Sequence, residues 1–161
     1  MIIEENLYKK IIHALPILCV DLLIKNEMNQ YLLHHRNNEP LKGQWWVPGG
    51  RVHKLESIDD AASRKCKEEL GLEIKDWDYD GFYEDWYDKN SFDSNTKFHG
   101  VSIVLSAIKR LKNATIILDE QSTEWAFHDN LPERFLSNFI KQRMVKRICI
   151  LGIKFVEPSW L

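Results

Sequence analysis

The chain is expected to fold as an α/β protein, with a mixed β-sheet sandwiched between α-helices. Three observations predict this. Short apolar runs with strand character recur along the sequence. A helix with its own start and stop signals interrupts them at about Ile58 to Leu70. Two further helical segments stand near the beginning of the chain and after Pro132.

Taken in order, Glu4 to Ala14 reads as a short amphipathic helix that turns Leu7, Ile11 and Ile12 inward. Ile17 to Lys25 and Gln30 to Arg36 read as apolar strands joined by the polar turn Asn26 to Asn29, and Asn37 to Gln44 is a loop holding Pro40 and Gly43. Trp45 to Val52 is a short apolar strand ending in Pro48-Gly49-Gly50. The next helix starts at Ser57, whose hydroxyl with Asp60 three positions on makes a capping-box-like entry; it ends at Gly71. Ile58, Ala61, Ala62, Cys66 and Leu70 share its inward stripe, and Glu69 sits at the edge of that stripe. Ile74 to Asp88 is a strand rich in aromatics, Lys89 to Lys97 a polar loop, and Gly100 to Lys109 a strand. Ala114 to Leu118 and Thr123 to His128 are shorter strands, and Pro132 opens a helix to about Gln142, as proline suits a first helical turn.

At 161 residues the chain suits one domain, spanning 1–161. Its formal charge of -2, with no block of Lys and Arg, argues against a nucleic-acid partner. The three cysteines are too far apart for a zinc pattern, and Cys19 and Cys149 lie in apolar runs as buried thiols. No apolar run reaches membrane-spanning length and Met1 to Glu5 is unlike a signal peptide, so a cytoplasmic protein without a membrane partner is expected.

The segment Gly50 to Leu72 carries most of the chemistry. Gly50, Glu56, Arg64, the pair Glu68-Glu69 and Gly71 put a glycine turn, a capped helix and a carboxylate cluster in one stretch. Taken alone, the mixed charges of the helix suit a solvated face laced by ion pairs. The preceding Trp45-Trp46-Val47-Pro48-Gly49-Gly50 changes that reading. A glycine turn lets backbone approach a ligand closely, and hard divalent cations take oxygen ligands such as carboxylates and carbonyls.

This spacing resembles the box of the Nudix hydrolases, G-x5-E-x7-R-E-U-x-E-E-x-G-U with U apolar. Every position agrees except Lys65, which stands where the box has Glu. Over about residues 10 to 135 the chain is similar to the GDP-mannose mannosyl hydrolases within that family, through Asp21, Arg36, Gly43 to Val52, Lys54, Glu56 and Asp119-Glu120-Gln121. The resemblance implies the Nudix fold, a homodimer and a Mg2+ cofactor, with Mn2+ as a substitute. It also implies hydrolysis of a nucleotide sugar, with water attacking the anomeric carbon of GDP-mannose and intact GDP leaving.

Site residues follow from the same resemblance. Gly49 through its carbonyl, Glu69 and Gln121 would hold the metal, and Glu68 is either a further ligand or a partner of metal-bound water. Arg36 and Arg51 would contact the diphosphate, which suits their planar donors, and Arg36 would neutralise the departing GDP. Arg64 either acts on substrate or orients Glu69 through an ion pair. Asp21 interrupts an apolar strand; it either supports the site or faces outward.

One position departs from the subfamily. The residue after the metal-binding Gln is a general-base His there and Ser122 here, and a serine hydroxyl needs a base of its own. Glu124, His99 and Glu68 are the substitutes to consider, while His34, His35 and His128 are read as structural. Trp86 and Tyr87, from the aromatic stretch, offer faces for stacking a base; packing is the alternative for most of that stretch. Two other outcomes stay open. One is a Nudix pyrophosphatase that attacks phosphorus, favoured by the complete Glu68-Glu69 pair and by the lost His. The other is a nucleotide-binding module with little catalysis.

Overall fold

A computed structural model describes residues 3–90, 96–108 and 115–139. Helix α1 spans Glu5–Ala14, followed by β1 Ile17–Lys25, β2 Tyr31–Arg36, β3 Trp45–Trp46, β4 Gly49–Arg51, α2 Ile58–Leu70, β5 Asp78–Tyr87, β6 Phe98–Ile108 and β7 Ser122–His128. Residues 133–139 are helical. The seven strands form one sheet with the path β3-β2-β1-β6-β5; β4 pairs β1, and β7 pairs β2. Only β1 and β6 run parallel among these pairs, so the sheet is mixed, as expected.

The period-2 alternation of β1 sorts its side chains to two cores. Val20, Leu22 and Ile24 pack with Ala61, Ala62, Cys66 and Leu70 of α2. Leu23, on the opposite face, packs with Leu33, Tyr83, Val104 and with Phe135 and Phe139 from residues 133–139. The sheet is therefore covered by helix on both faces.

Helix α2 has the predicted bounds because its signals are local. The Ser57 hydroxyl accepts the Asp60 N–H at 3.1 Å, a cap that contributes about 1 kcal/mol. Gly71 takes the left-handed conformation at φ 68° and donates to the Lys67 carbonyl at 3.0 Å.

Strand β1 changes neighbours along its length. At Lys25 it meets Tyr31 of β2, whereas Cys19, Val20 and Asp21 meet Arg51, Gly50 and Gly49 of β4. Strand β2 diverges to pair β3 and β7 instead. The chain thus crosses from one strand pair to the next at Val47-Pro48, and the Pro48 carbonyl accepts the Leu22 N–H at 2.8 Å. This crossing delivers the glycine turn to the N-terminal half of β1.

Several expectations are corrected. Leu7 is 53 % exposed: of its helix, α1, only Ile12 is fully buried. Residues 115–118 form no strand; the Ile117 N–H instead caps the Leu70 carbonyl at the end of α2. Strand β5 starts at Asp78, and Ile74 ahead of it is a core residue without strand pairing. Lys109, Ala114, residues 140–142 and Cys149 lie outside the described residues. Cys19 is half-buried, yet burial of its sulfur pushes the thiol up to about 12.

Candidate functional site

The two glycines bring backbone against side chains that no larger residue would permit. A Cβ on Gly49 would lie 2.3 Å from the Val20 carbonyl oxygen and 2.7 Å from Asp21 Oδ1. Gly50 has φ +150°, and a Cβ there would lie 2.7 Å from Lys65 Cε. This close approach lets the Gly49 N–H donate to Glu69 Oε2 at 2.9 Å.

Glu56 and Arg64 tie the box loop to α2. Glu56 accepts the His53 N–H at 2.8 Å and a forked pair from Arg64, Nε at 2.6 Å and NH2 at 2.9 Å. Those Arg64 bonds hold the Glu56 carboxyl down at about 2. Arg64 also donates to the Arg51 carbonyl at 2.9 Å and reaches Glu68 at 3.1 Å. Its partners are therefore Glu56 and Glu68, while Glu69 is paired by Lys65, the residue at the one position that departs from the box. Lys65 is 8 % exposed, with Nζ 2.7 Å from Glu69 Oε1 and 3.2 Å from Glu68 Oε2. Burial opposes its charge, but Glu69 and Glu68 outweigh this and hold the ammonium above its usual range.

A cavity of about 890 Å³ lies over this cluster, within the size range of small-molecule sites. Its walls include Gly49, Arg64, Lys65, Glu68, Glu69 and Gln121. Asp21, Arg36, Arg51 and Tyr87 border it too. Sequence positions 21 to 121 thus converge on one space.

Each wall residue is held by identifiable partners. Asp21 is buried, which excludes the outward-facing reading. Burial raises its carboxyl to about 6, against the opposing hydrogen bonds from Tyr83 and Ser102. Arg36 donates from Nε to the Pro40 carbonyl and from NH2 to Asn38 Oδ1, both at 3.0 Å. Asn38 in turn donates to Gln121 Oε1 at 2.9 Å, so Arg36, Asn38 and Gln121 form one chain along the rim. The Arg51 guanidinium lies 4.3 Å over the Tyr8 ring, and its buried Nε has no hydrogen-bond partner among the described residues. Tyr87 carries the Arg134 guanidinium 4.5 Å above its ring.

Other expected residues are not brought in. Trp86 neighbours Tyr87 on β5, so alternation turns it away: it is 55 % exposed and stacks on His99 with centroids 5.1 Å apart. Glu124 is exposed on β7 opposite His35 and lies outside the cavity wall, as does His99. Ser122 is buried, with its hydroxyl against His34 Nδ1, while His34 Nε2 faces the Val47 carbonyl at 3.2 Å. Of the three substitute bases, Glu68 alone borders the cavity.

Sequence reasoning missed the role of Lys65, although its departure from the box was a signal. It also missed Tyr8 and Asn38 on the wall, and gave no role to Glu120, which borders the cavity beside Gln121. Tyr8 arrives only through the packing of α1, for which no local pattern stands.

The donors suit a hard divalent cation in kind. The carboxylates of Glu69 and Glu68, the Gly49 backbone and the Gln121 amide offer oxygen at one cavity. The set is lean, since no three His, Cys, Asp or Glu side chains gather as a metal cluster among the described residues. The Lys65 ammonium stands on two of the carboxylates.

The NUDIX domain family matches residues 16–145. The chain is 36 % identical over 97 residues to the low-salt glycan biosynthesis protein Agl8 of Haloferax volcanii, covering 60 % of this chain and 62 % of that protein. It is 35 % identical over 101 residues to an ADP-ribose pyrophosphatase of Methanocaldococcus jannaschii, covering 63 % of this chain and 56 % of that protein. The chain thus spans about three fifths of the length of the curated relatives it matches. Among solved structures, a MutT protein from Methanosarcina mazei Go1 superposes with TM-score 0.63 at 24 % identity, over 82 % of this chain and 96 % of the other. The NUDIX domain of Shewanella oneidensis NrtR complexed with ADP ribose gives 0.59 at 18 %, over 90 % and 99 %. At these identities the superpositions show the shared fold.

Proposed function

The chain belongs to the NUDIX domain family, and from that premise we propose that it hydrolyses a nucleoside diphosphate sugar, GDP-mannose being the first candidate. The observation that carries this reading is the single cavity in which Arg36 and Arg51 face the Gly49, Glu69 and Gln121 oxygen donors. The cations suit a diphosphate, and the volume suits a nucleotide with a sugar attached. The printed names of the relatives, a glycan biosynthesis protein and an ADP-ribose pyrophosphatase, support a substrate of this kind.

Gly49 through its carbonyl, Glu69 and Gln121 would hold Mg2+, or Mn2+ in its place. Such an ion supplies positive charge to a diphosphate whose own charge rises as a bond breaks. Arg36 and Arg51 bind the diphosphate oxygens and stabilise the leaving group. Arg64 keeps the box loop on α2, and Asp21 with Tyr83 forms the floor beneath Gly49. In the first reading water attacks the anomeric carbon, and a carboxylate bordering the cavity, Glu68 among those expected, takes its proton. The second reading is attack at phosphorus, giving a sugar phosphate and GMP. It is favoured by the position of Glu68, which lies beside Glu69 where the diphosphate charge would gather, and by the absence of Ser122, Glu124 and His99 from the wall. A cytoplasmic homodimer goes with either reading.

Hydrolysis of GDP-mannose in heavy-oxygen water tests the reading. Label on free mannose with unlabelled GDP supports carbon attack, and label on a phosphate supports the second reading. No turnover of any nucleoside diphosphate sugar in the presence of Mg2+ or Mn2+ would refute both.

A further inference from the structure

Lys65 is the one residue of the box whose charge is opposite to expectation, and the structure gives it a defined place. Its stem runs beside Gly50, where a Cβ would lie 2.7 Å from Cε and 3.3 Å from Cδ. Its ammonium takes one Glu69 oxygen at 2.7 Å and one Glu68 oxygen at 3.2 Å. The other Glu69 oxygen accepts the Gly49 N–H at 2.9 Å. Glu69 is 4 % exposed, so water contributes little to its charge compensation.

The charge balance follows. Glu56, Glu68 and Glu69 are three carboxylates, and Arg64 and Lys65 are two cations within their reach. Within this ion-paired cluster one negative charge is left over. Additional divalent cations would need additional anionic oxygen ligands, and a Glu at position 65 would supply one in place of a repelling ammonium. A Lys ammonium is a compact point charge on a flexible four-carbon stem, so it can withdraw from Glu69 when a stronger cation arrives.

Resting on the metal reading above, we infer that Lys65 is a resident cation that occupies Glu69, competes with the divalent ion for it, and restricts the site to one such ion. It is a positioning residue, and it sets the metal affinity of this chain.

Mn2+ titrations of the full chain, by calorimetry and without substrate, test this. Wild type binds one Mn2+ per chain. Lys65→Met and Lys65→Gln, purified with Mn2+ and then stripped by chelator, bind it at least about tenfold more tightly, because a like charge a few ångströms away is removed. Lys65→Glu takes up at least one more ion. In chelator the Met variant melts below wild type, because Glu69 is buried without its counter-ion, and Mn2+ restores more of its melting temperature than it adds to wild type. Unchanged or weaker Mn2+ binding in both neutral variants would overturn the inference, as would two or more ions per wild-type chain. Glu69→Gln separates the two failures. If it leaves Mn2+ affinity unaltered, the metal reading itself is wrong and the inference falls with it; if it abolishes binding while the Lys65 variants stay at wild-type affinity, only the inference fails.

Discussion

Ser122 and His34 close on each other inside the sheet, hydroxyl against Nδ1, with both side chains buried. Their strands pair, with Arg36 opposite Ser122, so the contact is built into the β2–β7 register. With His34 Nε2 facing the Val47 carbonyl, the ring donates there and accepts from the serine hydroxyl at Nδ1. Ser122, which stands where the GDP-mannose mannosyl hydrolases that the chain resembles carry a His, is thus held in a buried contact.

A first prediction follows from that contact. Ser122→His is expected to give no gain in turnover and to lower the melting temperature, because a ring must enter a filled interior. Ser122→Ala is expected to cost about 1–3 kcal/mol, the range for a buried group left unsatisfied. Urea unfolding of both variants, beside steady-state rates, checks this. A faster Ser122→His enzyme with unchanged stability would show that the side chain reaches the cavity after all.

The acid limb of stability supplies a second prediction. Glu56 has its pKa lowered from 4.5 to about 2, first by Arg64, so the folded state favours the carboxylate. This stabilisation is fully present above about 4.5 and is lost as pH falls toward 2. His34 is lowered from 6.5 to about 4, chiefly by burial. Its neutral form belongs to the folded state, and its contribution is present above 6.5 and declines as pH falls through 4. The buried Asp21 carboxyl, raised from 3.8 to about 6, works the other way: its contribution grows as pH falls from 6 to 3.8 and offsets the His34 loss, so the net fall is expected chiefly in a lower stage between pH 4.5 and 2. In Glu56→Gln the lower stage should flatten, and the stability difference from wild type should narrow below pH 4.5. Chemical denaturation at stepped pH reads this directly, and a difference that stays constant down to pH 2 would contradict it.

The third prediction concerns Arg36, which has two tasks: its side chain anchors the loop through Pro40 and Asn38, and it borders the cavity. Arg36→Ala is expected to lower kcat by about 10²-fold, as for loss of one donor to a developing negative charge. Arg36→Lys should recover less than half of that loss on a logarithmic scale, because a point charge cannot replace the forked donors. Melting temperature separates the tasks. A fall in kcat with less than about 2 °C change in melting temperature assigns the effect to substrate, whereas a parallel fall of both assigns it to the loop.

Helix α2 was legible to the residue because its signals lie in its own neighbourhood, Ser57 before it and Gly71 after it. The same holds for β1, a continuous apolar run. The spacing Gly50, Glu56, Arg64, Glu68, Glu69 carried the site because a turn and one helix convert fixed intervals into fixed directions. The roles expected of Gly49, Glu69, Arg36, Arg51, Asp21 and Gln121 follow from the family resemblance, and all six border one cavity.

What the sequence could not decide are the partners that meet across strands and across distance. Trp86 and Tyr87 are adjacent and equally aromatic, and only pairing of β5 with β6 turns one outward and the other to the cavity. Glu124 was plausible by nearness to Gln121, yet the β2–β7 register points it to solvent while burying Ser122 against His34. Arg64 and Lys65 are neighbours on one helix, separated by about 100° of rotation. That rotation, with the closeness of the Gly49-Gly50 turn, gives Glu56 to Arg64 and Glu69 to Lys65. The sequence by itself determined helix α2, strand β1 and the box, which rest on intervals of a few residues. The tertiary structure alone decided which side chains face the cavity and which cation holds which carboxylate, because these depend on strand register and on burial between segments far apart in the chain.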